Sequence, residues 1–201
     1  MINTPETSYK KATQALNLLA RKKEGKINKM KAIKLIFLAD RLHLRKYGRP
    51  IVGDMYWAMK LGPVGSLTKN IADLSSISED ALAYAKKYIK PVDEKKQTLV
   101  SLKQEDLSVF SKTDLECLEA VYDKFSDKDQ FELAEITHKY PEWVKHKKEL
   151  DGGKKRVMMD YYDFFASTQK EDDLFSQNKS DLEIAKESFS ELKEVSEFFA
   201  K

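Results

Sequence analysis

Asp40, Asp54 and His138 are the residues of this chain whose types best suit acid–base chemistry. A histidine titrates near neutral pH, and a carboxylate can take up a proton or orient an imidazole, so such groups could form a general base or a pH-sensitive contact. No nucleophile stands at the spacing of a recognised motif, and neither G-x-x-x-x-G-K-[ST] nor G-x-G-x-x-G occurs. We therefore expect no catalytic residues and no enzyme activity.

Metal and cofactor chemistry has equally little support. His43, His138 and His146 lie on different segments and have no Cys or His partner at ligand spacing. The single cysteine, Cys117, cannot form an internal disulfide, and it lies on an apolar helical stripe that indicates core packing. We expect no metal ion and no cofactor.

The element that must position Asp40 is a helix with a wide apolar surface. Asn28 can cap its start, and Gly48 can end it in a left-handed conformation. Asp40 projects from the apolar side of this helix, so the carboxylate needs a partner. It is either a buried group that accepts hydrogen bonds from backbone amides or an arginine, or an acid that serves an interface or catalysis. The candidate arginines are Arg41, Arg45 and Arg49.

A glycine-punctuated segment follows this helix. We predict that residues 55–61 form a short strand or one arm of a hairpin, which ends in a turn at Gly62 and Pro63. Four of the seven glycines in the chain fall in this part, which predicts several positions of positive φ or close approach. These four are Gly48, Gly53, Gly62 and Gly65.

The rest of the chain predicts a predominantly α-helical α+β fold, with one or two small β-hairpins. Apolar spacing predicts helices over about 8–23 and 66–75, and another that begins at a cap within 111–114 and ends at Phe125. A further hairpin joins 88–92 to 97–102 through a turn at 93–96, with Pro91 on an edge strand. Asp129 can cap a helix that leads to His138, and Pro141 can begin one that presents Trp143. His138 either packs on Trp143 and bonds the backbone, or acts as a base or switch.

Several of these segments together resemble the signature of the SocA-like antitoxin or Panacea domain family. The resemblance rests on LIFLAD at 35–40, YGRPIVGD at 47–54, Tyr56, GPV at 62–64, LAEITH at 133–138 and Trp143. It covers roughly residues 8–165, and we assign residues 1–168 to the domain. We expect the signature residues mainly to support the scaffold, and they are Asp40, Tyr47, Gly48, Pro50, Gly53, Asp54, Tyr56, Gly62, Pro63, His138 and Trp143.

The resemblance implies a phage-associated antitoxin of a toxin–antitoxin system, which neutralises a cognate protein toxin by direct binding. One family member is a proteolytic adaptor, so the resemblance also implies a protease as a second candidate partner. The chain has no apolar run of about 18 residues and no apolar centre near its amino terminus, so we expect a cytoplasmic protein without membrane contact.

Charge is distributed unevenly although the net charge is only +3. Residues 21–49 hold 11 Lys/Arg against two acidic residues, while residues 171–201 hold nine acidic residues against four lysines. This asymmetry fits nucleic-acid contact, an acidic partner, or attraction between the two ends of the chain. The alternative function is therefore a phage-associated nucleic-acid-binding regulator, in which the basic helix and the 53–62 hairpin act as recognition helix and wing.

We predict that residues 169–201 form a polar linker followed by an amphipathic C-terminal helix. Together they make a helical appendage to the compact domain. Three destinations fit the apolar stripe of this helix: its own domain, a second copy in a homodimer, or a groove of the toxin. The residues of this stripe that we expect to bind a partner are Leu182, Phe189, Leu192 and Phe199.

Overall fold

The computed structural model describes residues 5–92, 97–168 and 172–199. In these ranges the chain forms a predominantly helical α+β fold whose central element is α2. Its helices are α1 (Pro5–Lys22), α2 (Lys29–Tyr47), α3 (Ser66–Asp73), α4 (Glu79–Tyr88), α5 (Lys112–Phe125), α6 (Gln130–Thr137), α7 (Pro141–Val144), α8 (Lys147–Asp151) and α9 (Lys179–Phe199).

The strands form two small antiparallel sheets, each of three strands in the described residues. One sheet has the order β1-β5-β4 and the other has the order β3-β2-β6. Each sheet therefore combines a hairpin, β4–β5 or β2–β3, with a third strand from elsewhere in the chain. The strands are β1 (Lys26–Asn28), β2 (Tyr56–Met59), β3 (Val64–Gly65), β4 (Ile89–Val92), β5 (Thr98–Ser101) and β6 (Arg156–Met158).

Helix α2 is buried from Lys31 to Arg45 because helices α1, α5, α6 and α9 surround it. Its boundaries are those the sequence predicts: Asn28 accepts a hydrogen bond from the amide of Lys31, and Gly48 adopts φ 67°. Cys117 on α5 is buried in the hydrophobic core, which confirms its predicted packing role, and this burial raises the pKa of its thiol to about 12. No helix in the described ranges is long and apolar enough to cross a membrane.

The predicted hairpins are confirmed, and Pro91 lies on the edge strand β4. The turn predicted at 93–96 lies outside the described residues. The capping residues are also confirmed, since Ser111 and Asp129 each form a capping box at the start of α5 and α6. The sequence pattern does not predict α4, β1 or β6.

The C-terminal segment packs on the same core. Phe175, inside the segment expected to be a polar linker, is fully buried and lies against Phe125 and Tyr140. Helix α9 contacts α2, and Phe189 is only 3% exposed because it packs on Tyr161 and neighbouring rings. Of the three destinations open to α9, the structure shows its own domain. The division of the chain at residue 168 stays a prediction.

Candidate functional site

Asp40 organises the signature loop through four hydrogen bonds, and we call Asp40 with its donors the aspartate centre. Its Oδ1 accepts from the amides of Ile51 and Val52 at 3.0 and 2.9 Å. Its Oδ2 accepts from the amide of Gly53 at 3.3 Å and from the Tyr56 hydroxyl at 2.9 Å. The carboxylate therefore folds the loop after Gly48 back onto α2, which confirms the interpretation of Asp40 as a buried acceptor of amide hydrogen bonds.

The ionisation of Asp40 reflects two opposing effects. Complete burial raises the pKa of the carboxyl to about 6, while the amides of Val52 and Gly53 and the Tyr56 hydroxyl act to lower it. Since every donor comes from the chain itself and the side chain is 0% exposed, Asp40 has no surface from which to reach a substrate. The aspartate centre is thus buried and held by hydrogen bonds within the chain.

Asp54 caps a helix that begins twelve residues later in the chain. Its carboxylate accepts from the amides of Leu67 and Thr68 at 2.8 and 2.7 Å, at the start of α3. Gly65 leaves room for this contact, since a Cβ there would lie 2.7 Å from Asp54 Cγ. The signature thus joins the loop, β2 and α3 through two buried carboxylates.

The arginines of α2 do not pair with Asp40, contrary to one option that the sequence leaves open. Arg41 Nε donates to Glu142 Oε1 at 2.8 Å, and both side chains are fully buried. Arg45 donates to the carbonyls of Phe164 and Phe175 at 2.9 and 3.1 Å. Arg41 and Arg45 therefore connect α2 to three later residues of the chain, namely Glu142, Phe164 and Phe175.

His43 links α2 to α5 and to the signature loop. Its Nδ1 lies 2.7 Å from the carbonyl oxygen of Arg49, so this nitrogen carries the proton, and Nε2 lies 2.9 Å from the Thr113 hydroxyl. Burial lowers the pKa of His43 to about 4. Asp114, which also pairs with Lys11, lies 3.2 Å from Nε2.

The other signature residues near the end of α2 have packing roles. Gly48 is in close contact with α9, because a Cβ there would lie 2.5 Å from the carbonyl oxygen of Ala185. Pro50 is buried in the loop, while Tyr47 is 41% exposed and its ring packs on His43.

The residues expected to bind a partner through α9 are largely turned toward the chain itself. Leu182 packs against the core, Phe189 is buried, and Leu192 is half-buried. The side chain of Phe199 lies outside the described residues. In this conformation Phe189 is therefore not available to a partner.

A cleft of about 410 Å³ opens beside the N-terminal half of α2, and we call it the lysine groove. Its walls are apolar side chains from α2, β2, β3 and the turn between the two strands, and its rim is basic. The apolar residues are Met30, Ile33, Met59, Leu61 and Val64, and the basic residues of the rim are Lys29, Lys60, Lys69 and Lys155. Lys34 also lines the groove but is buried.

Lys34 lies on the wall of the lysine groove and is only 1% exposed. Its Nζ makes one long hydrogen bond, 3.5 Å, to the carbonyl oxygen of Pro63. Burial lowers the pKa of this amine to about 7. Such a weak partner leaves most of the hydrogen-bonding capacity of the buried amine unused.

The signature residues Gly62, Pro63, His138 and Trp143 meet beside Lys34. Gly62 has φ 92°, and a Cβ there would lie 2.6 Å from Lys34 Nζ. The His138 ring stacks on the Trp143 ring with 3.9 Å between the ring centroids, which confirms the predicted packing. Trp143 Nε1 donates a hydrogen bond to the carbonyl oxygen of Met59 at 3.0 Å. The predicted backbone bond of His138 is not seen at Nε2, which is buried without a hydrogen-bond partner in the described structure.

Sequence reasoning missed Lys34, although a signal was present. Lys34, Phe37, Arg41 and Arg45 follow helical spacing and share one face of α2. Since the apolar residues already predict that α2 is buried on most of its circumference, the cations on this face had to be buried as well.

The buried cations also change the interpretation of the basic stretch 21–49. Lys31, Lys34, Arg41 and Arg45 all lie in the interior, so α2 does not present its charge as one outer surface. With residues 31–45 buried, α2 cannot enter a groove of DNA or RNA as a recognition helix. In the predicted wing, β2 pairs with β6, so this hairpin is part of a three-stranded sheet in the described residues.

Together these features define a helical domain with a surface cleft in the described residues. The model of the family described as "Antitoxin SocA-like, Panacea domain" matches residues 33–144, more than half of the 201 residues. The chain belongs to this antitoxin family. The match runs from α2 to α7 and includes both the aspartate centre and His138 with Trp143. Neither the comparison with curated proteins nor the comparison with solved structures gave a match.

Proposed function

We propose that this chain neutralises a partner toxin by binding it directly and occluding it. Membership in the antitoxin family supports the proposal. The hydrogen bonds of the aspartate centre agree with it, because they connect Asp40 only to the chain itself. Conserving the scaffold while varying the surface would allow one fold to bind different toxins.

Coexpression tests this function. The protein encoded by the adjacent open reading frame is induced with and without this chain, and growth and complex formation are measured. We expect growth arrest from the neighbour alone, rescue by this chain, and a stoichiometric complex on size-exclusion chromatography. A neighbour that is harmless alone, or toxic but neither rescued nor bound, would refute the proposal.

The lifetime of the toxin separates occlusion from delivery to a protease. Occlusion leaves the half-life of the neighbouring protein unchanged or longer in a pulse-chase experiment. A half-life that shortens only when this chain is present would instead identify an adaptor that works with a protease.

A further inference from the structure

We infer that the lysine groove receives the toxin, and that its occupant is a toxin segment in which a carboxylate lies beside apolar side chains. The inference rests on the proposed function and states where on this chain the toxin binds. Three properties of the groove support it: its apolar walls, its charge and the state of Lys34.

The walls favour apolar side chains. Leu61, which is 51% exposed, and Ile33, which is almost fully buried, both line the groove. Residues from α2, β2 and β3 form a continuous apolar concavity of about 410 Å³, large enough for two or three side chains. Covering this concavity would remove apolar surface from water, which is the main source of affinity in a protein interface.

The rim favours negative charge. Lys29 and Lys69 share a single carboxylate, that of Asp73, so one of these two positive charges is left uncompensated. Lys60 and Lys155 are exposed and have no ion-pair partner among the residues that the structure describes. The groove therefore carries an excess of positive charge that an acidic segment would complement.

Lys34 indicates which group the wall of the groove lacks, namely a hydrogen-bond acceptor for its amine. A buried amine normally has several acceptors, but within the described parts of the chain Nζ has only the carbonyl of Pro63, at 3.5 Å. His138 also lies beside Gly62, since a Cβ on Gly62 would lie 3.6 Å from His138 Cδ2, and the buried Nε2 of His138 has no partner in the described ranges. A carboxylate that reached Lys34 would accept the hydrogen bonds that the scaffold leaves unmade.

The same features disfavour nucleic acid as the occupant. Single-stranded nucleic acid binds proteins by stacking its bases on aromatic rings, and the described residues that line the groove include none. A phosphate backbone would meet the lysines but would leave the apolar walls without a partner. A protein segment with an acidic and an apolar side chain would contact both the lysines and the apolar walls.

Two pairs of variants test the inference in the full chain. Leu61→Asp places a negative charge on the wall, and Leu102→Asp is its matched control, because Leu102 is also 51% exposed but lies outside the groove. Lys60→Glu/Lys155→Glu reverses the rim, and Lys86→Glu/Lys90→Glu makes the same change in charge at exposed sites elsewhere. Circular dichroism confirms that each variant is folded.

The dissociation constant is measured with the protein from the adjacent reading frame, alongside growth rescue. Both groove variants are expected to weaken binding by at least about tenfold and to reduce rescue, while the controls bind as wild type does. Wild-type affinity in both groove variants, with rescue by wild type intact, would overturn the inference and leave the proposed function standing.

The remaining outcomes also decide the question. If the wild-type chain neither rescues growth nor binds the neighbour, the proposed function fails, and the inferred occupant fails with it. Loss of duplex DNA binding in the groove variants, with a steep salt dependence in wild type, would assign the groove to phosphate instead. Dimers that dissociate only in the groove variants would assign it to a second copy of this chain.

Discussion

Asp40 and Lys34 are both buried charged groups on α2, fewer than two helical turns apart, yet their surroundings differ sharply. Asp40 accepts hydrogen bonds from three backbone amides and one hydroxyl. Among the residues that the structure describes, Lys34 donates one long hydrogen bond, to the carbonyl of Pro63, and it lines an open cleft. The chain itself therefore supplies the hydrogen-bond partners of the Asp40 carboxylate, whereas it leaves most of the hydrogen-bonding capacity of the Lys34 amine unused.

We take this difference to distinguish, within one domain, a residue that stabilises the fold from a residue that binds a partner. A buried polar group with all of its partners in the same chain stabilises one conformation, and its removal damages the fold. A buried polar group without adequate partners lowers stability, so its presence beside a cleft is best explained by a ligand that supplies the partner. We therefore expect substitutions in the two regions to change stability in opposite directions.

The largest effect is expected for Asp40→Ala. Removing the carboxylate leaves the amides of Ile51, Val52 and Gly53 buried without an acceptor, and we expect a loss of about 3 to 5 kcal/mol in the free energy of unfolding. Urea denaturation followed by circular dichroism measures the loss.

Asp40→Asn is the matched control, since its amide oxygen can still accept some of these hydrogen bonds. It should lose less stability than the alanine variant. A loss below about 1 kcal/mol for Asp40→Ala would show that the four hydrogen bonds do not organise the signature loop.

His43 should make stability depend on pH. Its pKa is about 4 in the folded chain against 6.5 as the ordinary value, so the unfolded chain takes up the proton first as the pH falls. The stability that His43 contributes is complete above pH 6.5 and is lost as the pH falls toward 4, up to about 3 kcal/mol. His43 faces charged groups on other elements, which are Lys11, Arg49 and Asp114.

His43→Gln should flatten the loss of unfolding free energy between pH 6.5 and 4. Asp40 acts in the opposite direction over part of this range, because burial raises its pKa to about 6, so only the difference between variant and wild type isolates His43. Equal slopes in the two proteins would show that His43 is not held neutral by its surroundings.

A smaller loss is expected for Gly65→Ala. The new Cβ would lie 2.7 Å from Asp54 Cγ and 3.1 Å from Tyr56 Cε1, which forces the cap of α3 to shift. We expect a loss of about 2 kcal/mol in the free energy of unfolding. Gly152→Ala is the control, because the nearest atom to its Cβ would lie 3.3 Å away, and it should change stability little. Equal effects of the two substitutions would contradict the role assigned to Gly65.

Elements with strong local signals could be predicted from the sequence. The caps Asn28, Ser111 and Asp129 and the left-handed Gly48 act within a few residues of the chain, and so do both hairpins. The strands β1 and β6 could not be predicted, because each has three residues and pairs with a distant segment. Helix α4 buries mainly Ala81, Ala85 and Tyr88, and alanines give little hydrophobic contrast.

The candidate site was predictable only in part. The inward direction of Asp40 follows from helical spacing, but its donors do not, because they depend on how the loop after Gly48 folds. The cleft beside Lys34 brings together residues from α2, the β2–β3 hairpin and Lys155, which are far apart in sequence. No local pattern reports such a cleft, and the burial of Phe189 on Tyr161 and Tyr162 depends on tertiary packing in the same way.

Lys34→Met tests most directly whether Lys34 serves partner binding rather than the stability of the fold. The substitution replaces the buried amine with an apolar side chain of similar length. Two quantities are measured on the same sample: the free energy of unfolding, and the dissociation constant for the protein from the adjacent reading frame. We expect stability to rise by about 1 to 2 kcal/mol while binding weakens at least about tenfold. A variant that loses stability and binds as tightly as wild type would contradict the account.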